Sequence, residues 1–320
     1  MSVLAYSSGT DHVTTPPISQ RVLEKEGSVS ISIPERQLAN KSLQITPLNS
    51  KSYVAWSIED RSNVYAALQK TVDVWKKSGF ADQYLVYGKQ QSSDMSFNWE
   101  VVPYYKPSTF IGRIWQQFFV LWKITFGGTT LSESQRQKEV DEYKAVFKEF
   151  MPSVQDGAQK IMDVVQGNDA FCKAEVINKQ LVLEGRSINV LYNYAPIGFG
   201  GERLHFLIVP KEHKTKFSEL SEEEYLEATD VSQKLMSHFS VTREIEDVYI
   251  FHKTGVDAGQ TVPHWHMHMI LTSNKTQDIF GKLTVLKNML IGSSPMKGEE
   301  LSRKVSSLKD ELKFLQTKSQ

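Results

Sequence analysis

Residues 259–273 read GQTVPHWHMHMILTS, and three histidines, His264, His266 and His268, alternate there with Trp265, Met267 and Met269. Alternation at a period of two marks a half-buried β-strand, because successive side chains face opposite sides of a sheet. The spacing puts all three imidazoles on one face, about 6.6 Å apart along the chain, and sends Trp265, Met267 and Met269 into the core. Three imidazoles so placed can surround one phosphate or ligate one metal ion. Gly259, Gln260 and Thr261 lie on the loop that delivers the strand, where backbone N–H groups and the Thr261 hydroxyl can bind phosphate oxygens. Upstream, HFLIVPKEH (205–213) supplies His205 at the start of an apolar strand and His213 in the following turn. Seven of the eight histidines fall between His205 and His268.

The surroundings of this strand occur twice in the chain. HFLIVPKEHKTKFSELSEEEYLEATDVSQKLMSHF, from His205, is an apolar strand, a Pro, a polar turn and an amphipathic helix. SLQITPLNSKSYVAWSIEDRSNVYAALQKTVDVW, from Ser42, has the same order, with Pro47 matching Pro210. Each helix leads into a short apolar strand, YLVYG (84–88) or VYIFH (248–252), then a loop and another strand, FNWEVVPYY (97–105) or HWHMHMIL (264–271). VLEKEGSVSISI (22–33) likewise resembles LVLEGRSINVL (181–191). The two halves read as one ancestral unit used twice. In the first half Ser96, Asn98 and Glu100 stand where the three histidines would be, and Ser42 aligns with His205, so that half cannot repeat the same chemistry.

Composition bounds the rest. Lys plus Arg and Asp plus Glu number 37 each, so the formal net charge is zero, and bulk nucleic acid is disfavoured as a partner. The single cysteine, Cys172, permits no intrachain disulfide and fits a reducing, cytoplasmic location. No secretory signal is visible at the N-terminus. FIGRIWQQFFVLWKITF (110–126) is short for a membrane span and carries Arg113, Gln116, Gln117 and Lys123. Its apolar residues Ile111, Ile114, Trp115, Phe118, Phe119 and Trp122 recur at three- and four-residue steps, predicting a helix packed on the core or between domains. Docking on a membrane surface or a partner is the alternative. Leu301, Val305, Leu308 and Leu312 form one stripe of a C-terminal helix, packed on the core or at a homodimer contact.

The His-φ-His-φ-His-φ-φ pattern of His264–Ile270, together with HFLIVPKEH, the acidic amphipathic helix and the Gly-Gln-Thr loop, resembles the histidine-triad (HIT) superfamily over roughly 171–273. The resemblance implies an α+β fold of two HIT-like units, each an antiparallel sheet with packed helices, forming one pseudo-dimeric body. Its expected division is a flexible tail over 1–20, a degenerate HIT-like unit over 21–129, a helical linker over 130–168 and a HIT domain with C-terminal helix over 169–320. It implies that His266 attacks the α-phosphorus of a nucleotide or dinucleotide substrate. His264 would hold the network that orients His266, His268 would donate a proton to the leaving group, and His205 would orient or polarise the triad. Gly259, Gln260 and Thr261 would bind phosphate. The expected activity is nucleotide hydrolysis or nucleotidyl transfer on a phosphoramidate, phosphoanhydride or dinucleoside polyphosphate, with no cofactor and no metal.

Departures from the family pattern bear on the substrate. Asn193 stands near Pro196 where many relatives carry an acidic residue for the ribose, and Lys253 stands where relatives carry Asn. Both are candidate nucleoside-binding residues. IGFGGERL (197–204) is longer than usual, and together these changes leave the nucleoside open and admit a more anionic or bulkier substrate. Some relatives hold zinc through paired cysteines near the domain start. Cys172 stands alone, so no such site is expected. A tandem layout also resembles galactose-1-phosphate uridylyltransferase and the dinucleoside-tetraphosphate phosphorylases. Those end their motif in Gln and carry it in the first half, unlike this chain.

Three other readings remain open at this level. The triad and His205 can ligate a metal. The domain can bind nucleotide without turning it over. The first half can present the 110–126 surface to a partner, with the second as accessory. His213 and His238 are expected to face solvent; His252, at a strand end facing the loop, is placed near the site by at most half of the readings open to it.

Overall fold

A computed structural model describes residues 21–91, 95–105, 109–150, 167–197, 203–272, 286–288 and 292–316. The expected tail (1–20), the second part of the linker and most of the 197–204 segment lie outside them. In the first half the elements are β1 (Val22–Glu26), β2 (Val29–Ser32), β3 (Arg36–Gln37), β4 (Leu43–Pro47), α1 (Ile58–Lys77), β5 (Gln83–Gln90), β6 (Trp99–Tyr104), α2 (Phe110–Phe126), β7 (Thr129–Thr130) and α3 (Glu133–Phe150). The second half has α4 (Ala174–Gln180), β8 (Leu181–Glu184), β9 (Ile188–Tyr192), β10 (Leu204–Pro210), α5 (Glu222–Thr242), β11 (Asp247–Thr254), β12 (Met267–Thr272) and α6 (Gly298–Leu312).

One ten-stranded antiparallel sheet, in the order β1-β2-β4-β6-β5-β11-β12-β10-β9-β8, runs through both halves. The order reads the same from either edge when β1, β2, β4, β5 and β6 are matched to β8, β9, β10, β11 and β12. Register fixes the match residue by residue. Glu100 pairs with Tyr87 and Gln44 as His268 pairs with Phe251 and Leu207. Ser42 therefore falls opposite the His205 position and Glu100 at the His268 position. At the seam Tyr87 pairs with its own equivalent, Phe251, so a pseudo-twofold axis passes between them. The expected pair of HIT-like units is the architecture, joined as a pseudo-dimer.

Sequence accounts for the matched helices as well. α1 and α5 both begin with a capping box. Asp60 N donates to Ser57 Oγ at 3.0 Å and Ser57 N to Asp60 Oδ2 at 3.1 Å, while Glu224 N and Ser221 N make the same exchange at 3.2 and 2.7 Å. Each such cap is worth about 1 kcal/mol by satisfying N–H groups that a helix start leaves unpaired. The two helices lie side by side on one face of the sheet and cross-link its halves. Tyr53 and Ser232 share a 2.5 Å hydrogen bond, and Gln233 Nε2 donates to Tyr53 O at 2.5 Å. The main core fills this face with Ile31, Ile45, Trp75 and Val101 from one half, and Val190, Phe206, Trp265 and Met267 from the other.

α3 packs Val140, Tyr143 and Phe147 into that same core. The first part of the expected helical linker is this helix, packed on the core. α6 buries Val305, Leu308 and Leu312, with Leu301 against the core, as its stripe predicts.

Among the described residues the opposite face is only partly roofed. α2 lies over the first half with Val120 and Leu121 buried, above Leu85, Tyr87, Val102 and Tyr104. Phe171, Ile177 and Leu181 cover Leu191, Leu207 and Val209 toward the other edge. Between these two roofs lie the histidines, His205 and His264 fully buried, His266 8% exposed and His268 half-buried. α2 corrects the expected packing. Ile111, Ile114, Trp115, Phe119 and Trp122 are exposed, whereas Arg113 and Gln117 turn toward the protein, against Asp257. The period was right and the buried side was wrong, because polar contacts with the 255–260 turn orient the helix.

Candidate active site

β12 begins at Met267, so His264 and His266 sit on the extended segment just before it and only His268 lies within the strand. The alternation nevertheless holds: Trp265, Met267 and Met269 are fully buried in the core. His268 and His266 lie together on the other side, ring centroids 4.7 Å apart.

The hydrogen bonds assign each ring its tautomer. Ile197 N donates to His205 Nδ1 at 3.1 Å, so His205 carries its proton on Nε2 and donates to His268 Nδ1 at 3.0 Å. His268 is left with a proton on Nε2. His266 Nδ1 donates to the His264 carbonyl, two residues back, at 2.8 Å, which leaves the lone pair on Nε2 without a hydrogen-bond partner among the described residues. Phe251 stacks on His268 at 4.4 Å and 13°, and Phe171 sets its edge against His266 at 5.2 Å. Desolvation holds the His205 imidazole down to about 3 and that of His266 to about 4, and pushes His268 well below the ordinary histidine range. All three are neutral at physiological pH, the form in which imidazole is a nucleophile.

A cation stands beside them. Lys253 projects from β11 over Phe251, its Nζ 5.8 Å from the ring centroid, and desolvation lowers its ammonium to about 8. Gly259 has φ +85°, and a Cβ there would come within 3.1 Å of Lys253 Nζ. The positive φ favours glycine in this turn, and a side chain there would press on the end of the lysine.

The loop residues divide their roles differently from expectation. Gly259 N donates to Val256 O and Gln260 N to Gly255 O, so both N–H groups are used inside the turn. The Gln260 side chain accepts from Gly255 N at 2.8 Å and donates to Thr215 O at 2.9 Å. Gln260 therefore braces the loop, and Thr261 stands exposed at its end. Asn193 is near the triad, yet its Oδ1 accepts from Ala195 N at 3.0 Å and its Nδ2 lies 3.2 Å from His205 Nδ1. It shapes the His205 pocket.

The remaining histidines part from expectation. His252 lies on the opposite face, stacked on Phe217 at 5.0 Å beside Trp265, and takes no part in the site. His238 bonds Glu311 of α6 at 3.1 Å rather than facing water. His213 is drawn inward, 5.2 Å from His264, to a cluster that the sequence did not disclose.

That cluster joins Asp169, Cys172, His213 and His264, whose donor atoms all lie within 4.8 Å of one another. His213 Nδ1 is 2.9 Å from Asp169 Oδ2 and 3.4 Å from Cys172 Sγ; His264 Nδ1 is 3.4 Å from Asp169 Oδ1 and 3.6 Å from Cys172 Sγ. These separations suit donors about 2.0–2.3 Å from a common zinc ion. His264 Nε2 donates to Pro210 O at 3.1 Å, which turns the Nδ1 lone pair toward the cluster. A metal site here needs no second cysteine, and the expectation built on a lone Cys172 does not extend to it. The triad itself does not gather around a metal: only His264 belongs to the cluster, while His205 and His268 bond each other. Asp169 and Cys172, two residues apart between them, were the available signal.

A profile of the HIT domain family matches residues 174–275. The match is to a HIT domain in the second half of the chain, and its span contains His205, His264, His266 and His268. No curated protein matches the chain. Among solved structures, a uridylyltransferase superposes with a TM-score of 0.49 at 11% identity, covering 86% of this chain and 76% of that one. An ADP-glucose phosphorylase from Arabidopsis thaliana with bound ADP-glucose gives 0.49 at 11%, over 88% and 82%. A diadenosine triphosphate hydrolase from Plasmodium falciparum gives 0.33 at 18%, over 42% and 78%.

Proposed function

We propose that the HIT domain is a nucleotidyl transferase or nucleotide hydrolase acting through a covalent nucleotidyl-histidine on His266. The observation that carries this reading is a pair of rings 4.7 Å apart, His266 with its Nδ1 bonded to the His264 carbonyl and His268 with its Nδ1 accepting from His205, which leaves a lone pair on His266 Nε2 and a proton on His268 Nε2. His266 Nε2 attacks the α-phosphorus, forming a P–N bond as the P–O or P–N bond to the leaving group breaks. His268 Nε2–H protonates the departing atom. Water, or another acceptor, then attacks the phosphorus, returns a proton to His268 and frees His266. Lys253 and Thr261 bind the phosphate oxygens, and His205 fixes the His268 tautomer. The test is intact-mass spectrometry after incubation with AMP phosphoramidate, diadenosine polyphosphates and nucleotide sugars. An adduct of nucleotide mass, or consumption of one substrate, supports the reading. Nucleotide binding with neither would make the domain a binding module.

The Lys253 ammonium gives the reading a pH dependence. Lowered to about 8, it is charged below that pH and neutral above it, so kcat/KM should fall as pH rises through about 8. Lys253→Arg should move this alkaline limb upward, because a guanidinium keeps its charge. An unchanged limb in the arginine variant would remove Lys253 from substrate binding.

The same proposal places a structural zinc ion on Asp169, Cys172, His213 and His264. Zinc there would supply no reacting group; it would tie the segment before α4 and the turn after β10 to the start of the triad. Purified protein should contain about one zinc per chain, and chelation should lower Tm. Cys172→Ala should lose the metal while His266 still forms an adduct at low temperature. Metal-free protein with an unaltered Tm on adding zinc would sink this assignment.

A further inference from the structure

Lys253 is a cation without a counter-charge. It follows Phe251 by two residues on β11, so it shares the face on which Phe251 meets His268. It stands one step beyond the His252–Met267 pair, level with His266. Asp257, the one carboxylate of the 255–260 turn, is taken by Arg113 Nε at 2.8 Å and Gln83 Nε2 at 2.7 Å. Among the described residues no carboxylate or other acceptor meets Lys253 Nζ, and burial alone lowers its ammonium. Burial comes first among the causes that lower the His266 and His268 imidazoles, and the Lys253 charge adds to both. A desolvated ammonium without a partner costs the fold stability, and such a group in a site is a place where a ligand supplies the missing charge.

With His266 as the nucleophile, on which this rests, we infer that Lys253 holds the phosphate joined to the α-phosphate. The substrate is then a nucleoside phosphoanhydride rather than a phosphoramidate or a simple phosphoester. Position supports this. β11 and β10 both border β12, so a phosphorus at His266 Nε2 has Lys253 on one side and His205 on the other. On the Lys253 side α2 closes the face. The cleft that Lys253 shares with Leu85, Tyr87, Tyr104, Leu121 and Ile124 holds about 10 Å³, room for one water at most. A nucleoside, which needs a pocket of about 300 Å³ or more, is shut out there, whereas a compact anion can sit at the mouth. The chemistry agrees. Attack by His266 Nε2 forms the P–N bond and breaks the bond from the α-phosphorus to the bridging oxygen. The electron pair leaves with that oxygen, which takes the His268 Nε2 proton. Lys253 offsets the charge that remains on the departing phosphate. An amine leaving group brings no phosphate to the ammonium.

The test measures affinity by calorimetry on the full chain, wild type and Lys253→Gln. The probes are α,β-methylene nucleoside diphosphates and nucleoside monophosphates of adenine, guanine, uracil and cytosine. The methylene bridge resists cleavage, so affinity is read whether or not the protein turns nucleotide over. Wild type should bind one diphosphate analogue more tightly than its monophosphate by about tenfold or more, the effect of a charge-assisted contact. Lys253→Gln should remove most of that difference. Loss of an unpaired ammonium should leave Tm unchanged or raised; if neither Lys253→Gln nor Lys253→Met folds, the wild-type preference decides. Turnover gives the second readout: the variant should lose at least about tenfold more kcat/KM on a diadenosine polyphosphate or nucleotide sugar than on AMP phosphoramidate. Equal wild-type affinity for diphosphate and monophosphate would overturn the inference. So would an equal loss on both in Lys253→Gln, which would put Lys253 on the α-phosphate, or wild-type turnover of AMP phosphoramidate alone. A Lys253-dependent preference for the diphosphate with no turnover of any substrate supports the phosphate site and overturns the nucleophile instead.

Discussion

His266→Asn should lower kcat/KM on every consumed nucleotide by on the order of 10³- to 10⁶-fold, at least about 4 kcal/mol of transition-state stabilisation. Asparagine has no ring nitrogen lone pair, so no P–N bond can form. The structural cost should be small. His266 is 8% exposed, and the bond it makes within the chain, to the His264 carbonyl, can be replaced by the asparagine N–H. The measurement is turnover with matched Tm and nucleotide affinity. Lost turnover with retained binding fits a nucleophile. Wild-type turnover in the variant would end the covalent mechanism and leave His268 to act on water directly.

Trp265→Ala should be the most damaging single change to stability. Trp265 has no exposed surface and packs against His252 at 5.2 Å within the main core. Removing a buried indole costs about 3–5 kcal/mol, from lost transfer energy and the cavity left behind. For a chain of this size the shift in Tm is on the order of 5–10 °C. Its indole N–H has no hydrogen-bond partner among the described residues, so Trp265→Phe should recover most of the loss. Because Trp265 separates His264 from His266, the alanine variant should also lose activity at temperatures where it remains folded. A cost below about 1 kcal/mol would mean that the core can collapse around the site.

Much of the architecture could be read from local pattern. The period-two alternation around His266 put Trp265 and Met267 in the core, and the repeated strand–Pro–helix order gave a duplication whose register matches Ser42 to His205 and Glu100 to His268. What escaped were relations between distant segments. Nothing around His213 indicates that Asp169 and Cys172 close upon it. The outward orientation of Trp115 depends on Asp257, more than a hundred residues away. Gln260 looked like a phosphate ligand because its amide is free in sequence; in space Gly255 and Thr215 occupy it. His252 alternates correctly, but as the neighbour of Phe251 it had to fall on the face opposite His268.

Glu100 shows what the duplication permits. Burial raises its carboxyl to about 7, and Leu38 N donates to it at 2.8 Å, in the very position where the other half keeps His268. In a dimer of identical subunits, a gene that exchanged that histidine for glutamate would disable both centres at once. Encoding the two units in tandem uncouples their fates. One unit keeps the histidines, while in the other the matching face lies under α2.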